Sequence, residues 1–306
     1  MSTCSNNNLS IDDLYEKLIV NDIKDGADVL RTVYDETNGL DGYISVEVSP
    51  DLAYKTEETI LEARKLWGLI NRPNLMIKVP STEEGAVAVR QLISEGINVN
   101  VTLMFSMDHY LSVVEAYLSG LEARLAKGNE IGKIASVASF FVSRVDTMVD
   151  KKLAELGDDT LKGKIAVGNS KIVYQKSLEI YASDRFKKLE SKGAKKQRLL
   201  WASTGTKNPT YSDILYVEEL LGLDTVNTVP PATLAAFRDH GIPEETLTKN
   251  IEQAAQHLED LNNTGIILND VTQQLQKDGV EAFANSFKTL LEVLKEKHST
   301  ILEKMK

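Results

Sequence analysis

Residues 98–105 read Asn-Val-Asn-Val-Thr-Leu-Met-Phe, polar at every second position at the start of an otherwise apolar run. Residues two apart share one face of a strand, which places Asn98, Asn100 and Thr102 on one side and Val99, Val101 and Leu103 on the other. A buried polar group without a partner costs on the order of 1–3 kcal/mol, so a polar row in a buried strand needs a reason. The row is a solvated edge, a hydrogen-bonded layer inside a barrel, or a wall that faces a ligand.

The texture on either side of this stretch is strand alternating with helix. Tyr43–Val48 (YISVEV), Leu75–Val79 (LMIKV), a run within Ile134–Val142, Arg198–Ser203 and Asp224–Thr228 read as further strands. Helical spacing begins at Ser10, where Asp12 and Asp13 suit a capped first turn, and returns at Thr56–Ile70, Glu83–Ser94, His109–Leu125, Ser143–Leu156 and Lys171–Leu189. From Glu244 onward the tail predicts helix in pieces, broken near Thr264-Gly265 and Asp278-Gly279.

Such alternation predicts a parallel sheet covered by helices. No GxGxxG or GxxxxGK loop follows any strand, and several strands are polar on one face, which favours a closed barrel over an open doubly wound sheet. The expected fold is therefore α/β, a TIM-type (β/α)8 barrel with C-terminal helices. Only about six strands are visible where the common barrel has eight, and the deficit lies at the N-terminus. Residues 1–9 read as a polar tail and 10–306 as the barrel domain.

Bulk properties narrow the function. Of 306 residues, 42% are hydrophobic and 26% charged, with a formal net charge of −10. That balance argues against a nucleic-acid partner, which needs a basic face. A lone cysteine, Cys4, excludes an internal disulfide and a thiolate zinc site, and suits a reducing compartment. His109, His240, His257 and His298 form no metal motif. No stretch is long and apolar enough to span a membrane, and Met1–Leu9 is not a signal peptide, so a cytoplasmic protein is expected.

The polar faces supply the candidate chemistry. Glu47 shares a face with Ser45 near the end of the first strand, and Lys78 is the lone cation of an apolar strand. A structural ion pair, an edge or a snorkelling lysine explains these residues; so does catalysis. A desolvated lysine amine attacks carbonyls to form an iminium, a nearby carboxylate moves protons through water, and Asn or Thr holds substrate hydroxyls. Arg144, following the strand that carries Ser139, and Lys207, in the loop Trp201–Pro209 (WASTGTKNP), are the cations available to grip a phosphate.

Together YISVEV, NLMIKVPST, NVNVTLMFS, SVASFFVSRVD, LLWASTGTKNPTYSD and DTVNTVPPATL, in this order, resemble the transaldolase family in its longer bacterial branch. The resemblance implies an α/β-barrel class I aldolase of the pentose phosphate pathway that needs no cofactor or metal. It would move a dihydroxyacetone unit from sedoheptulose 7-phosphate to glyceraldehyde 3-phosphate, giving erythrose 4-phosphate and fructose 6-phosphate. It implies Lys78 as the Schiff-base lysine, Glu47 and Thr102 as holders of the proton-transfer water, and Asn100 and Ser139 as partners of the three-carbon unit. Arg144, Ser203 and Lys207 would bind phosphate, with lysine standing where many members have arginine. A monomer or homodimer is expected.

The family also places two strands ahead of the first one here, bearing an acid/base aspartate and a TNP-type loop. Neither is visible in residues 1–42, where Asp12, Asp13, Asp22 and Asp25 sit in helical or turn-like sequence. Two alternatives to a transaldolase follow: an impaired barrel that only binds sugar phosphates, and an aldolase that releases free dihydroxyacetone.

Overall fold

The computed structural model of the chain describes residues 9–304. Residues 1–8 of the polar tail, Cys4 among them, lie outside the described residues, as do the last two. Six parallel strands form one sheet in chain order: β1 (Ile44–Glu47), β2 (Leu75–Pro80), β3 (Val99–Met104), β4 (Ser136–Phe141), β5 (Arg198–Ala202) and β6 (Thr225–Asn227). Helix α1 (Ile11–Glu36) precedes β1, and α2 (Thr56–Ile70), α3 (Glu83–Glu95) and α4 (Met107–Ala126) make the next three crossovers. Helices α5 (Ser143–Leu156), α6 (Ile165–Ala182) and α7 (Asp184–Glu190) link β4 to β5, and the short α8 (Leu215–Glu218) links β5 to β6. The chain ends in α9 (Pro231–His240), α10 (Ile251–Asn263) and α11 (Leu268–Lys304). This is the consecutive wall of a TIM-type barrel, with β1 and β6 as its two edges among the described residues.

Local chemistry explains the junctions. Ser10 caps α1 by accepting from the Asp13 N–H at 3.0 Å, as its position before two aspartates predicts. After β2, the Thr82 hydroxyl accepts from the Gly85 N–H and donates to the Ala53 carbonyl, starting α3 and tying it to the loop after β1. Gly85 admits no side chain, because a Cβ there would lie 2.0 Å from the Pro80 carbonyl oxygen. Ile77, Val79, Val99 and Val101 are fully buried on the outward face of the sheet, beneath α2, α3 and α4. Each contributes roughly 1.5–3 kcal/mol relative to exposure.

Four details depart from the sequence-based expectation. The helical spacing at 171–189 is two helices: α6 starts at Ile165, and Ser183 breaks the run by capping α7 through the Phe186 N–H. The tail does not become helical at Glu244 but at Ile251. Gly279 does not break the last helix, which runs unbroken through 37 residues. Finally, the alternation along β3 stops at Thr102, because Leu103 takes a left-handed φ of 58° where the register with β4 slips.

The last two departures are one feature. Helix α11 crosses the C-terminal ends of β2 and β3, and Gly279 abuts Leu103. A Cβ at Gly279 would lie 2.9 Å from Leu103 Cδ2. One turn earlier, Gln276 Nε2 donates into three acceptors, the Ser81 carbonyl (3.1 Å), the Ser81 hydroxyl (3.0 Å) and the Leu103 carbonyl (3.3 Å). The glycine is kept by packing, and the packing outweighs its poor helix propensity of about 1 kcal/mol.

Candidate active site

Register brings the predicted polar residues together. Glu47 lies beside Lys78, Lys78 beside Asn100 and Pro80 beside Thr102. Lys78 Nζ is 3.5 Å from Glu47 Oε2, with both side chains 24% exposed. Burial pushes the Glu47 carboxyl above its ordinary range, and the Lys78 charge pulls it only part of the way back. A carboxyl with a raised pKa beside a lysine amine has the chemistry to take part in proton transfer.

Next to this pair, a hydrogen-bonded row crosses the sheet. Asn100 Nδ2 donates to Ser45 Oγ at 3.0 Å, and Ser139 Oγ donates to Asn100 Oδ1 at 2.7 Å. The amide is therefore fixed between β1 and β4, its orientation set by both neighbours. Asn98 belongs to the same face but is structural: it donates to the Pro73 and Leu75 carbonyls and accepts from the Ala135 N–H, closing the bottom of the sheet. Thr102 is fully buried, and its hydroxyl has no hydrogen-bond partner among the described residues. The row read from sequence thus divides into a structural Asn98, a braced Asn100 and an unpaired Thr102.

The cations lie farther along the sheet. Helix α5 begins directly after β4 and carries Arg144 in its first turn, its guanidinium 5.2 Å from the centre of the Phe141 ring. Ser203, at the end of β5 with a left-handed φ of 57°, shares a 2.9 Å hydrogen bond with Ser143 next to Arg144. Arg144 and Lys207 line one cavity of about 990 Å³ between α5 and the start of α11. Among the described residues neither has a carboxylate within 4 Å. Burial lowers the pKa of both, and the Arg144 charge lowers that of Lys207 further. Two unpaired like charges sharing a cavity are costly unless an anion joins them.

Two contributors were not legible from sequence. Ser45 shares the Glu47 face, and the register sets it one pair below Asn100, so its contact with that amide is diagonal and not readable from parity alone. Phe283 lies far from the strands in sequence, yet its ring centre is 5.6 Å from Lys78 Nζ. Nothing in the local sequence of α11 signals that contact, which depends on where the helix crosses the sheet. No helix of the described residues is long and apolar enough to cross a membrane.

The chain matches the Transaldolase/Fructose-6-phosphate aldolase family over residues 1–294. It is 50% identical over 301 residues to a transaldolase of Trichodesmium erythraeum, covering 94% of this chain and 79% of that protein. Identity is 48% over 298 residues to transaldolase 2 of a Nostoc species (93% of this chain, 78% of that protein) and 46% over 289 residues to a transaldolase of Saccharopolyspora erythraea (94% and 78%). With the lysine, carboxylate and amide row in place at the strand ends, the chain belongs to the Transaldolase/Fructose-6-phosphate aldolase family.

Proposed function

We propose that this chain acts as a transaldolase, passing a dihydroxyacetone unit from sedoheptulose 7-phosphate to glyceraldehyde 3-phosphate through a Schiff base on Lys78. The Lys78–Glu47 pair beside the braced Asn100 carries this reading. The neutral amine of Lys78 adds to the ketose C2 carbonyl, and loss of water from the carbinolamine leaves an iminium. The C3–C4 bond then breaks, its electrons moving into the iminium to give an enamine, while the C4 hydroxyl gives up a proton and the aldose phosphate leaves. The enamine adds to the acceptor aldehyde, and hydrolysis frees fructose 6-phosphate.

In this reading Glu47 and Thr102 hold the water that shuttles protons during carbinolamine collapse. The raised pKa of Glu47 and the unpaired hydroxyl of Thr102 support those roles. Asn100 and Ser139 hydrogen-bond the three-carbon unit, and Arg144, Lys207 and Ser203 bind the phosphate. Borohydride reduction in the presence of fructose 6-phosphate tests the core of it. A stable adduct is expected on the peptide containing Lys78 and absent from Lys78→Met; an unmodified wild-type chain would remove the Schiff base from the reading.

A second reading, a barrel that binds sugar phosphates without completing the cycle, is favoured by one observation. Among the described residues Glu47 is the only carboxylate within 4 Å of Lys78. Adduct formation without release of aldose phosphate would select it.

A further inference from the structure

We propose that Phe283, on the C-terminal helix, is the water barrier of the Lys78 site and decides whether the three-carbon unit is transferred or lost to hydrolysis. The inference rests on the Schiff-base reading above. Its observations are a helix pinned in place, a ring over the reactive nitrogen, and a cavity on the other side of that ring.

Gln276, Gly279, Phe283 and Phe287 recur at spacings that keep them on one face of α11. Each has a defined partner. Gln276 is fixed to Ser81 and Leu103, Gly279 abuts Leu103, and Phe287 packs edge-on against Tyr15 of α1 with ring centres 5.2 Å apart. Phe283 lies between these fixed points, and its ring sits 5.6 Å from Lys78 Nζ. A cavity of about 490 Å³ lies between α1, α2, β1 and α11, and Glu47 and Phe283 both border it, whereas Lys78 does not. The carboxylate and the aromatic ring are therefore the wall between that cavity and the amine.

The chemistry gives the wall a purpose. After the aldose phosphate leaves, the enamine waits for an acceptor aldehyde. If it instead takes a proton on carbon, it returns to an iminium. Water adding to that iminium carbon gives back the proton, and the C–N bond then breaks to free dihydroxyacetone and the neutral lysine amine. Each three-carbon unit lost this way consumes one water, so bulk water reaching the iminium carbon, beyond the single water held by Glu47 and Thr102, is the competing reactant. An apolar ring over the nitrogen excludes it from the β1 side, and the ring face also tolerates the iminium cation where a polar side chain would bring water with it.

The test uses dihydroxyacetone itself, which needs no bond cleavage to load Lys78. Protein equilibrated with dihydroxyacetone is rapidly desalted, then reduced with borohydride at intervals, and the surviving adduct on the Lys78 peptide is counted by mass. Phe283→Ala, which opens the wall, is expected to shorten the adduct half-life about tenfold or more, a barrier change within the range of water exclusion. Phe283→Leu, which keeps an apolar plug, is expected to stay near wild type. Phe283→Val gives an intermediate loss and carries the test where the alanine variant fails to fold by circular dichroism. Equal half-lives in wild type and the folded truncation overturn the barrier role and leave the Schiff base standing. No adduct in wild type overturns both.

Discussion

Replacing Lys207 by methionine separates a ligand site from a structural cation, because the two predict opposite signs. Lys207 and Arg144 share a cavity, have no carboxylate within 4 Å among the described residues, and the proton on Lys207 is loosened by burial and by Arg144. Methionine keeps the apolar stem and removes the charge, so the ligand-free protein sheds a repulsion and is expected to be as stable as wild type or slightly more so. Phosphate binding moves the other way. A charge-assisted hydrogen bond is worth about 1.5–3 kcal/mol, which weakens affinity roughly ten- to hundredfold.

Ligand-induced stabilisation converts this into a measurement. At fructose 6-phosphate one hundred times the wild-type dissociation constant, the wild type gains about 2.7 kcal/mol; a thirtyfold weaker variant gains about 0.9 kcal/mol. For a chain of this size those gains correspond to melting shifts of about 4 °C and about 1–2 °C. Differential scanning fluorimetry with and without the sugar phosphate resolves the difference. Unchanged protection by ligand, or a ligand-free variant destabilised by more than about 1 kcal/mol, would show that Lys207 braces the loop instead of reading phosphate.

Two further predictions address what holds the site in place. Asp146 of α5 is buried, accepts from the Ala166 N–H (2.7 Å) and the Tyr216 hydroxyl (2.9 Å), and burial pushes its pKa up to about 7. The folded chain therefore holds a proton there that the unfolded chain releases near pH 4, so this stabilisation is full below about pH 4 and is lost as pH rises through 7. Urea unfolding of Asp146→Asn should lack that part of the pH dependence, an upper bound of about 3–4 kcal/mol between pH 4 and 8; parallel wild-type and variant curves would contradict the assignment. Gly85→Ala drives a methyl into the Pro80 carbonyl at the end of the Lys78 strand. It should cost about 1–3 kcal/mol or more in the same assay, and a neutral result would mean that α3 can shift away from β2.

What the sequence made legible was the part governed by strand parity. Glu47, Lys78 and Asn100 fall in one row because each lies on a parallel strand, alternation fixes the face, and parallel pairing of adjacent strands aligns neighbours. Parity fails where the backbone leaves the strand region, as at Leu103, and no periodic reading reports a left-handed residue inside an apolar run. Helix breaks escape a periodic reading for a related reason. Gly279 resembles punctuation, yet a partner supplied by β3 needs its missing side chain. Apolar spacing continues across Ser183 and masks the break, although Ser followed by Asp184 is a readable capping signal. Gly279 can be read only with its tertiary partner in view, whereas the Ser183 cap is written in its own neighbours.

The position of Glu47 raises a different question, since β1 pairs only with β2 among the described residues. A carboxylate on an edge strand needs support from something other than a second neighbouring strand. Helices α1 and α11 supply it: α1 packs on β1, and Asn74 Nδ2 reaches the Ala27 and Gly42 carbonyls at 2.8 and 2.9 Å, joining the foot of β2 to α1 and to the turn before β1. The Tyr15–Phe287 contact then joins α1 to α11 within reach of Phe283. Glu47 and Phe283, the two sides of the wall beside Lys78, therefore depend on the same helix pair. Motion of that pair would move the proton-transfer group and the water barrier together, which couples access of water to the nitrogen with the geometry that uses it.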